Sequence, residues 1–221
     1  ELQAVRKRGS SGVTGDDGGQ MGELAPMATR LGGGCGTTPA HLAARSQAKK
    51  DLPRPEVAGK DTLRIASYGQ AVALDGHDPG IIGERINPTG KKKLQAALRA
   101  GDMDYVLNEA FQQEEAGANI LDVNVGLPGL DAPAVLTQTV EALQAVTGLP
   151  LQLDTSNPEA MEAALRRYNG KPLINSVNGK EESLAAILPL VKKYGGGLVC
   201  LTLDDDGIPA DAEGRLAIAE K

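Results

Sequence analysis

The sequence has almost no aromatic side chains: its 221 residues include no Trp, one Phe and four Tyr. Proteins that bind single-stranded nucleic acid stack the bases on aromatic rings, so a surface of that kind is not expected. The formal net charge of −6 also disfavours binding to a phosphate backbone. No apolar run approaches the roughly 18 residues of a membrane span, and the first residues contain no apolar signal core. The composition therefore argues against nucleic-acid and membrane partners.

Cysteine is also scarce, because Cys35 and Cys200 are the only two in the chain. Two cysteines so far apart cannot form a disulfide framework, which predicts a reducing compartment, the cytoplasm. Cys200 lies in the apolar run GLVCLTL, which predicts a small core residue. A hydrophobic content of 41% with 24% charged residues is typical of a globular protein. Because the sequence begins with Glu1, we expect the natural start to lie upstream.

Composition divides the chain near residue 60. The first 34 residues are rich in Gly and poor in apolar periodicity, and LGGGCGTTPAHLAA then leads into a short helical pattern. There Thr38 is the predicted N-cap and Pro39 the first helical residue. The segment KKDLPRPEVAGKD that follows has the Pro and charge content of a linker. Residues 1–60 and 61–221 are therefore predicted to be separate units.

From Leu63 onward, short apolar runs alternate with helical patterns, which is typical of βα units on a parallel sheet. The predicted strands are 80–86, 119–125, 149–154, 172–175 and 197–203, and the predicted helices are 102–116, 132–147, 158–168 and 180–194, with a further helix beginning near residue 210. Five such units without an antiparallel element fit a doubly wound sheet or the first part of an eight-stranded barrel. The loop GERINPTGKKK lacks the Gly-x-Gly-x-x-Gly turn of a dinucleotide fold, which favours the barrel.

Polar residues end every predicted strand, and in a barrel these ends converge on one mouth. They are carboxylates, carboxamides and one Arg: Glu84, Arg85, Asn87, Asp122, Asn124, Asp154, Asn175, Asn178 and Asp204. Ionised carboxylates accept hydrogen bonds and Asn both donates and accepts, so such a site suits a neutral ligand rich in N–H donors and ring acceptors. Two alternatives stay open: a divalent metal held by the carboxylates, and a set of ordinary helix caps and turn formers.

Five motifs carry a resemblance to a known family. IIGERINPTGKKKLQAALRAGD, AGANILDVNVGLP, LPLQLDTSNPEAMEAAL, GKPLINSVNGKEES and LTLDDDGIPADAEGRLAIAEK resemble, in this order, the pterin-binding barrel of cobalamin-dependent methionine synthases. The resemblance runs from about Leu63 to Lys221. The upstream LGGGCGTTPAHL is similar to the closing motif of the homocysteine-binding barrel that precedes the pterin barrel in those enzymes. The resemblance thus implies an α/β (β/α)8 barrel of the pterin-binding type, with about five βα units present.

This resemblance also implies a function and a set of binding residues. The family binds 5-methyltetrahydrofolate and passes its methyl group to cob(I)alamin, which is carried on a separate module, for methionine synthesis from homocysteine. Protonation at N5 is the general-acid help that an amine leaving group needs. Asp154 resembles the carboxylate that accepts from the pterin amide N–H and exocyclic amine. The pterin-binding residues that the resemblance implies are Glu84, Asn87, Asp122, Asn124, Asp154 and Asn175.

The sequence departs from the family in two respects. The family's zinc site has a Cys-Cys pair and a third Cys upstream, whereas here Gly34 precedes the single Cys35, so Cys35 is a partial zinc ligand at best. Strands six to eight of the barrel are also absent from these 221 residues, so we expect a fragment that lacks methyltransferase activity in isolation. The alternatives are a methyltetrahydrofolate:corrinoid iron-sulfur protein methyltransferase, a dihydropteroate synthase, or a non-catalytic pterin-binding module.

Overall fold

The computed structural model describes residues 32–34, 36–51, 62–76 and 79–221, and the chain divides into two compact units, residues 1–60 and 61–221. In the first unit, helix α1 spans Pro39–Lys49. Thr38 caps it as predicted, since its hydroxyl oxygen accepts from the His41 backbone N–H and its own N–H donates to His41 Nδ1 at 3.2 Å. Cys35, the predicted zinc ligand, lies outside the described residues.

The second unit contains a hairpin followed by alternating strands and helices. Its strands are β1 (Leu63–Ala66), β2 (Ala71–Leu74), β3 (Ile82–Ile86), β4 (Ile120–Val123), β5 (Leu151–Asp154), β6 (Leu173–Asn178) and β7 (Gly197–Leu201). Its helices are α2 (Lys92–Ala100), α3 (Met103–Glu115), α4 (Ala132–Val146), α5 (Pro158–Arg167), α6 (Glu181–Tyr194) and α7 (Ala212–Ala219). In the described segments no helix has the length and apolar character needed to cross a membrane.

Strands β3 to β7 form one parallel sheet in which each strand pairs with its neighbour in the sequence, in the order β3-β4-β5-β6-β7. In a doubly wound sheet the order in which successive strands are added reverses at a switch point, whereas here each new strand is added on the same side. Five consecutive strands of one parallel series with intervening helices are the arrangement of a (β/α)8 barrel. The barrel prediction is therefore confirmed over these five units, and the doubly wound alternative is wrong.

The main core lies between the sheet and its helices. Alternate strand residues such as Leu121, Val123 and Leu153 are fully buried there, against Leu136 of α4 and Met161 of α5. Side chains alternate between the two faces of a strand, so the residues between these apolar ones point to the other face of the sheet, the barrel interior. This alternation places Asp122 and Gln152 on the interior face.

The prediction that no antiparallel element is present was wrong, because β1 and β2 form an antiparallel hairpin. Ile65 of the hairpin packs with Ile120 and Leu173 in a second, smaller apolar cluster on the interior face. Gly197 permits this approach, since a Cβ there would lie 2.4 Å from Ile65 Cδ1. The hairpin thus supplies an apolar floor at the amino ends of the central strands.

Hydrogen bonds fasten this hairpin to the loops below the sheet. Ser67 Oγ donates to the Gly148 carbonyl at 2.6 Å, and Ala66 exchanges two backbone bonds of 2.8 Å with Lys171. The Tyr168 hydroxyl donates to the Ala66 carbonyl at 2.9 Å and accepts from the Leu151 N–H. Burial raises the pKa of Tyr168 to about 12, which keeps the phenol protonated and able to donate.

Two further predictions need correction. Cys200 is exposed rather than part of the core, because β7 is the last strand of the sheet and its outer edge has no neighbouring strand among the described residues. Helix α2 was not predicted, although Leu94, Ala97 and Leu98 form its buried stripe. Gly101 ends it in the left-handed conformation with φ 68°, a common helix C-terminus.

Candidate binding site at the strand ends

Five of the predicted site residues come together toward the carboxyl ends of four neighbouring strands, β3 to β6. We call Glu84, Asp122, Asn124, Asp154 and Asn175 the strand-end cluster. Asp122 is paired in register with Gln152 of β5, and Asp154 is paired with Asn175 of β6. Glu84 belongs to β3, beside β4.

A direct side-chain hydrogen bond joins two members of the cluster. Asn124 Nδ2 donates to Asp154 Oδ2 at 2.9 Å, while Asn124 Oδ1 accepts from the Gly126 N–H at 3.0 Å. Asn124 is therefore held at both ends of its amide. A carboxylate has about four acceptor positions, so Asp154 can still accept from a ligand.

Asp122 is the buried member of the cluster, with 2% of its surface exposed. The pKa of Asp122 is raised to about 6: burial is the largest cause and the charges of Asp154 and Glu84 act in the same direction, while hydrogen bonding from Gln152 and Asn175 opposes them. Gln152 Nε2 donates to Asp122 Oδ1. Asp122 is thus a carboxyl group that changes its charge close to neutral pH.

The loop after β3 holds Glu84 in place. Asn87 Nδ2 donates to Glu84 Oε1 at 2.7 Å, and Asn87 Oδ1 accepts from the Thr89 N–H at 3.0 Å. Lys91 Nζ donates to the Glu84 carbonyl at 2.8 Å. Asn87 therefore supports Glu84 from within the loop, and its direct contact with a ligand stays a prediction.

Three other polar residues at strand ends do not join the cluster. Arg85 forms an ion pair of 2.9 Å with Glu109 of α3, on the helix side of the sheet. Asn178 Oδ1 accepts from the Lys180 N–H in a turn before α6. Asp204 pairs with Lys221 at 3.0 Å and accepts from the Asp206 N–H. These turn and pairing contacts account for Arg85 and Asp204, whereas Asn178 also lines a cavity together with Asp154 and Asn175.

A cavity of about 370 Å³ adjoins the cluster. Asp154 and Asn175 form part of its wall, together with hydroxyl side chains from the starts of α5 and α6 such as Ser156 and Ser183. Ile187 contributes apolar wall. The cavity is large enough for a small organic ligand that touches both cluster residues.

The cluster is rich in acceptors and contains two amides that donate as well as accept. Ionised carboxylates accept hydrogen bonds and repel anions, so the three in this cluster suit N–H groups better than an anion. Within the described segments, no three His, Cys, Asp or Glu side chains are grouped so that they could hold a metal ion. The arrangement therefore suits a planar heterocycle with several N–H donors better than a carboxylate-bound metal.

Sequence reasoning missed Gln152. It lies inside β5 and not at the strand end, and it was therefore not among the predicted site residues. Its spacing from Asp154 was the available signal, since residues i and i+2 of a strand share a face.

Comparison with known proteins assigns the family. Residues 83–217 match the model of the family described as pterin binding enzyme. Methionine synthase from Mycobacterium tuberculosis is 33% identical over 198 residues, which is 86% of this chain and 16% of that protein. Methionine synthase from Mycobacterium leprae is 32% identical over 203 residues, or 86% of this chain and 17% of that protein. The chain thus spans about one sixth of the length of these relatives.

Solved structures of dihydropteroate synthases also align with part of the chain. The enzyme from Vibrio fischeri is 20% identical with a TM-score of 0.44, over 62% of this chain and 48% of that one. The enzyme from Xanthomonas albilineans is 26% identical with a TM-score of 0.42, over 58% of this chain and 47% of that one. The family match covers more than half of the chain and contains every member of the strand-end cluster. The chain belongs to the pterin-binding enzyme family, and it resembles the pterin-binding region of methionine synthases.

Proposed function

We propose that the strand-end cluster binds the pterin ring of a reduced folate, 5-methyltetrahydrofolate. The observation that carries this proposal is the grouping of Asp154, Asn124 and Asn175 beside a buried Asp122 on the interior face of the sheet. A pterin ring presents an amide N–H and an exocyclic amine side by side. One carboxylate accepts from both, as the free acceptor positions of Asp154 allow.

The remaining cluster residues complete the recognition of the ring. Asp122 and Glu84 accept further N–H groups, and the amide of Asn175 donates to ring acceptors. The apolar floor around Ile65 and Ile120 excludes water from beneath the cluster. Hydrogen bonds to charged groups are stronger in such a partly dry site than in water.

Within a longer chain, we propose that the bound methyltetrahydrofolate is a methyl donor for methionine synthesis. The N5–methyl bond breaks, its electron pair stays on N5, and N5 takes a proton. Cobalamin on a separate module supplies the cobalt nucleophile that accepts the methyl group. The residues of the strand-end cluster hold the ring in place for this transfer, which is a contribution of proximity and orientation.

Residues 1–60 and 61–221 are proposed to be the end of a homocysteine-binding domain with its linker, and the first part of the pterin-binding barrel. A zinc ion does not fit the first of these segments, because Cys35 is its only cysteine. A tetrahedral zinc site of this kind needs three protein ligands. We therefore assign no step to zinc in this chain.

Calorimetric titration with 5-methyltetrahydrofolate tests the proposed binding. Asp154→Asn replaces an acceptor by a partial donor and removes its charge, so we expect affinity to fall about 10- to 150-fold, the loss of one charged hydrogen bond. Asp104→Asn, an exposed carboxylate on α3, is the matched control and should bind as the unmodified chain does. Equal affinity of the Asp154→Asn variant and the unmodified chain would refute the proposed site.

A further inference from the structure

Gln152 is a buried amide whose two cross-strand partners in the sheet differ sharply in polarity. It is 7% exposed, and it lies beside Asp122 of β4 on one side and Leu173 of β6 on the other. Leu173 belongs to the apolar floor, together with Ile65 and Ile120. Gln152 thus marks the level at which the interior changes from apolar floor to polar cluster.

The side chain of Gln152 is directed at Asp122. Its Nε2 donates to Asp122 Oδ1, and this bond joins two side chains that are both nearly inaccessible to water. A buried carboxylate is costly unless hydrogen bonds or charges compensate for the lost hydration. Among the titratable groups that act on Asp122, Glu84 of β3 and Asp154 of β5 are both carboxylates and disfavour its ionisation.

A neutral amide donor offsets part of this penalty without introducing a charge that would compete with a ligand. A carboxylate has about four acceptor positions, so positions beyond those used by Gln152 and Asn175 can accept a ligand N–H. Asn175 also favours the charged form of Asp122, but in the proposed function it has the ligand itself as a partner.

We propose that Gln152 is a positioning residue that holds one oxygen of Asp122 through a buried hydrogen bond and so keeps this carboxylate ionised and oriented for ligand binding at the strand ends. This inference rests on the proposed pterin site, and it adds a residue outside the strand-end cluster. Gln152 need not touch the ligand, because it acts through Asp122.

Replacement of Gln152 by Met, which is similar in size and lacks the amide, tests the inference. Titration of the Asp122 carboxyl carbon by NMR, assigned by its absence in Asp122→Asn, should show a midpoint about one to two pH units higher than in the unmodified chain. Gln152→Asn keeps the polarity but is one methylene shorter, and it should show the same upward shift. It also serves if Gln152→Met does not fold.

Gln113→Met is the matched control for loss of a buried glutamine. Gln113 is 5% exposed, and its amide accepts from the Arg85 N–H and donates to the Glu109 carbonyl, both backbone groups. We expect this variant to leave the Asp122 midpoint unchanged. An equal shift in Gln113→Met, or no shift in either Gln152 variant, would overturn the inference.

Calorimetry with 5-methyltetrahydrofolate across pH connects the hydrogen bond to binding. In Gln152→Met we expect affinity to fall about 2- to 10-fold at pH 7 and to recover at pH 9, because Asp122 ionises there again. Affinity lowered equally at every pH would point to a structural role and overturn the inference. A shifted NMR midpoint in a chain that binds no 5-methyltetrahydrofolate would instead refute the proposed function, and it would leave the coupling of Gln152 and Asp122 established.

Discussion

Replacement of Asp122 by Asn should stabilise the fold at neutral pH. In the folded chain the pKa of Asp122 is about 6, raised from a usual value of 3.8 chiefly by burial. The unfolded chain titrates at the lower value, so the folded state binds the proton more tightly. The contribution of Asp122 to stability is therefore most favourable below about pH 4 and is lost as the pH rises through 6.

The size of this effect follows from the two pKa values. A difference of about two units corresponds to about 3 kcal/mol, the penalty for ionised Asp122 well above pH 6. Asn resembles the neutral, protonated form at every pH, and it retains an oxygen that accepts from Gln152. We therefore expect the free energy of unfolding of Asp122→Asn to be higher than that of the unmodified chain, by up to about 3 kcal/mol at pH 8 and by about 0.5 kcal/mol at pH 4.

Urea unfolding followed by far-UV circular dichroism at pH 4, 6 and 8 measures this difference directly. Comparison at each pH cancels the titration of carboxylates that both proteins share. Asp104→Asn, on the exposed surface, should change the free energy of unfolding by less than about 1 kcal/mol at each pH. An Asp122→Asn variant that is less stable than the unmodified chain at pH 8, or a difference independent of pH, would show that the burial argument is wrong.

Three further predictions concern the scaffold. Lys193 and Tyr194 donate to Glu162 and lower its pKa to about 2, so Glu162→Gln should destabilise the chain at pH 7 and have less effect as pH falls toward 2, measured by urea unfolding. Gly197→Ala places a methyl group against Ile65 and should lower the free energy of unfolding by about 1–3 kcal/mol in the same assay. Gly148→Ala, whose added methyl group meets no neighbour, should cause no such loss. Tyr168→Phe removes the hydroxyl that links the hairpin to β5 and should cost about 1–3 kcal/mol and speed amide hydrogen exchange in the hairpin; unchanged exchange would contradict that role.

The five parallel strands could be predicted because each is a short apolar run bounded by turn residues and followed by a helical pattern. Their ends differ from the predicted bounds by a few residues, as for strand 172–175, which the structure extends to Asn178. The hairpin was missed because LRIA and AVAL are only four residues each, too short to show alternation. Their packing against Ile120 and Leu173 is what stabilises them, and that contact is distant in sequence.

The sequence predicted which polar residues lie at the strand ends, but it did not predict which groups their side chains contact. A polar residue after an apolar strand indicates a place at the mouth, and Asp154 and Asn175 are there. Whether such a residue faces the interior, as Asp122 does, or the helices, as Arg85 does, depends on strand register and on the irregularity in β3 between Gly83 and Ile86. Register of this kind is set by tertiary packing, so the pairing of Arg85 with Glu109 could not be read from the motif.

Strand alternation also explains why the proposed binding role of Asp122 opposes the stability of the fold. A shift of one residue in β4 would turn Asp122 toward the helices and Leu121 toward the interior, so the apolar core itself holds the carboxylate in its buried place. The apolar floor formed by the hairpin raises the energy of the ionised Asp122 carboxylate, and the hydrogen bond from Gln152 offsets part of this increase. A ligand N–H that donates to Asp122 would lower that energy further. If the site binds such a ligand, the stabilising variant Asp122→Asn should bind 5-methyltetrahydrofolate more weakly than the unmodified chain. A variant that gained stability and kept its affinity would show that the Asp122 carboxylate is not part of the binding site.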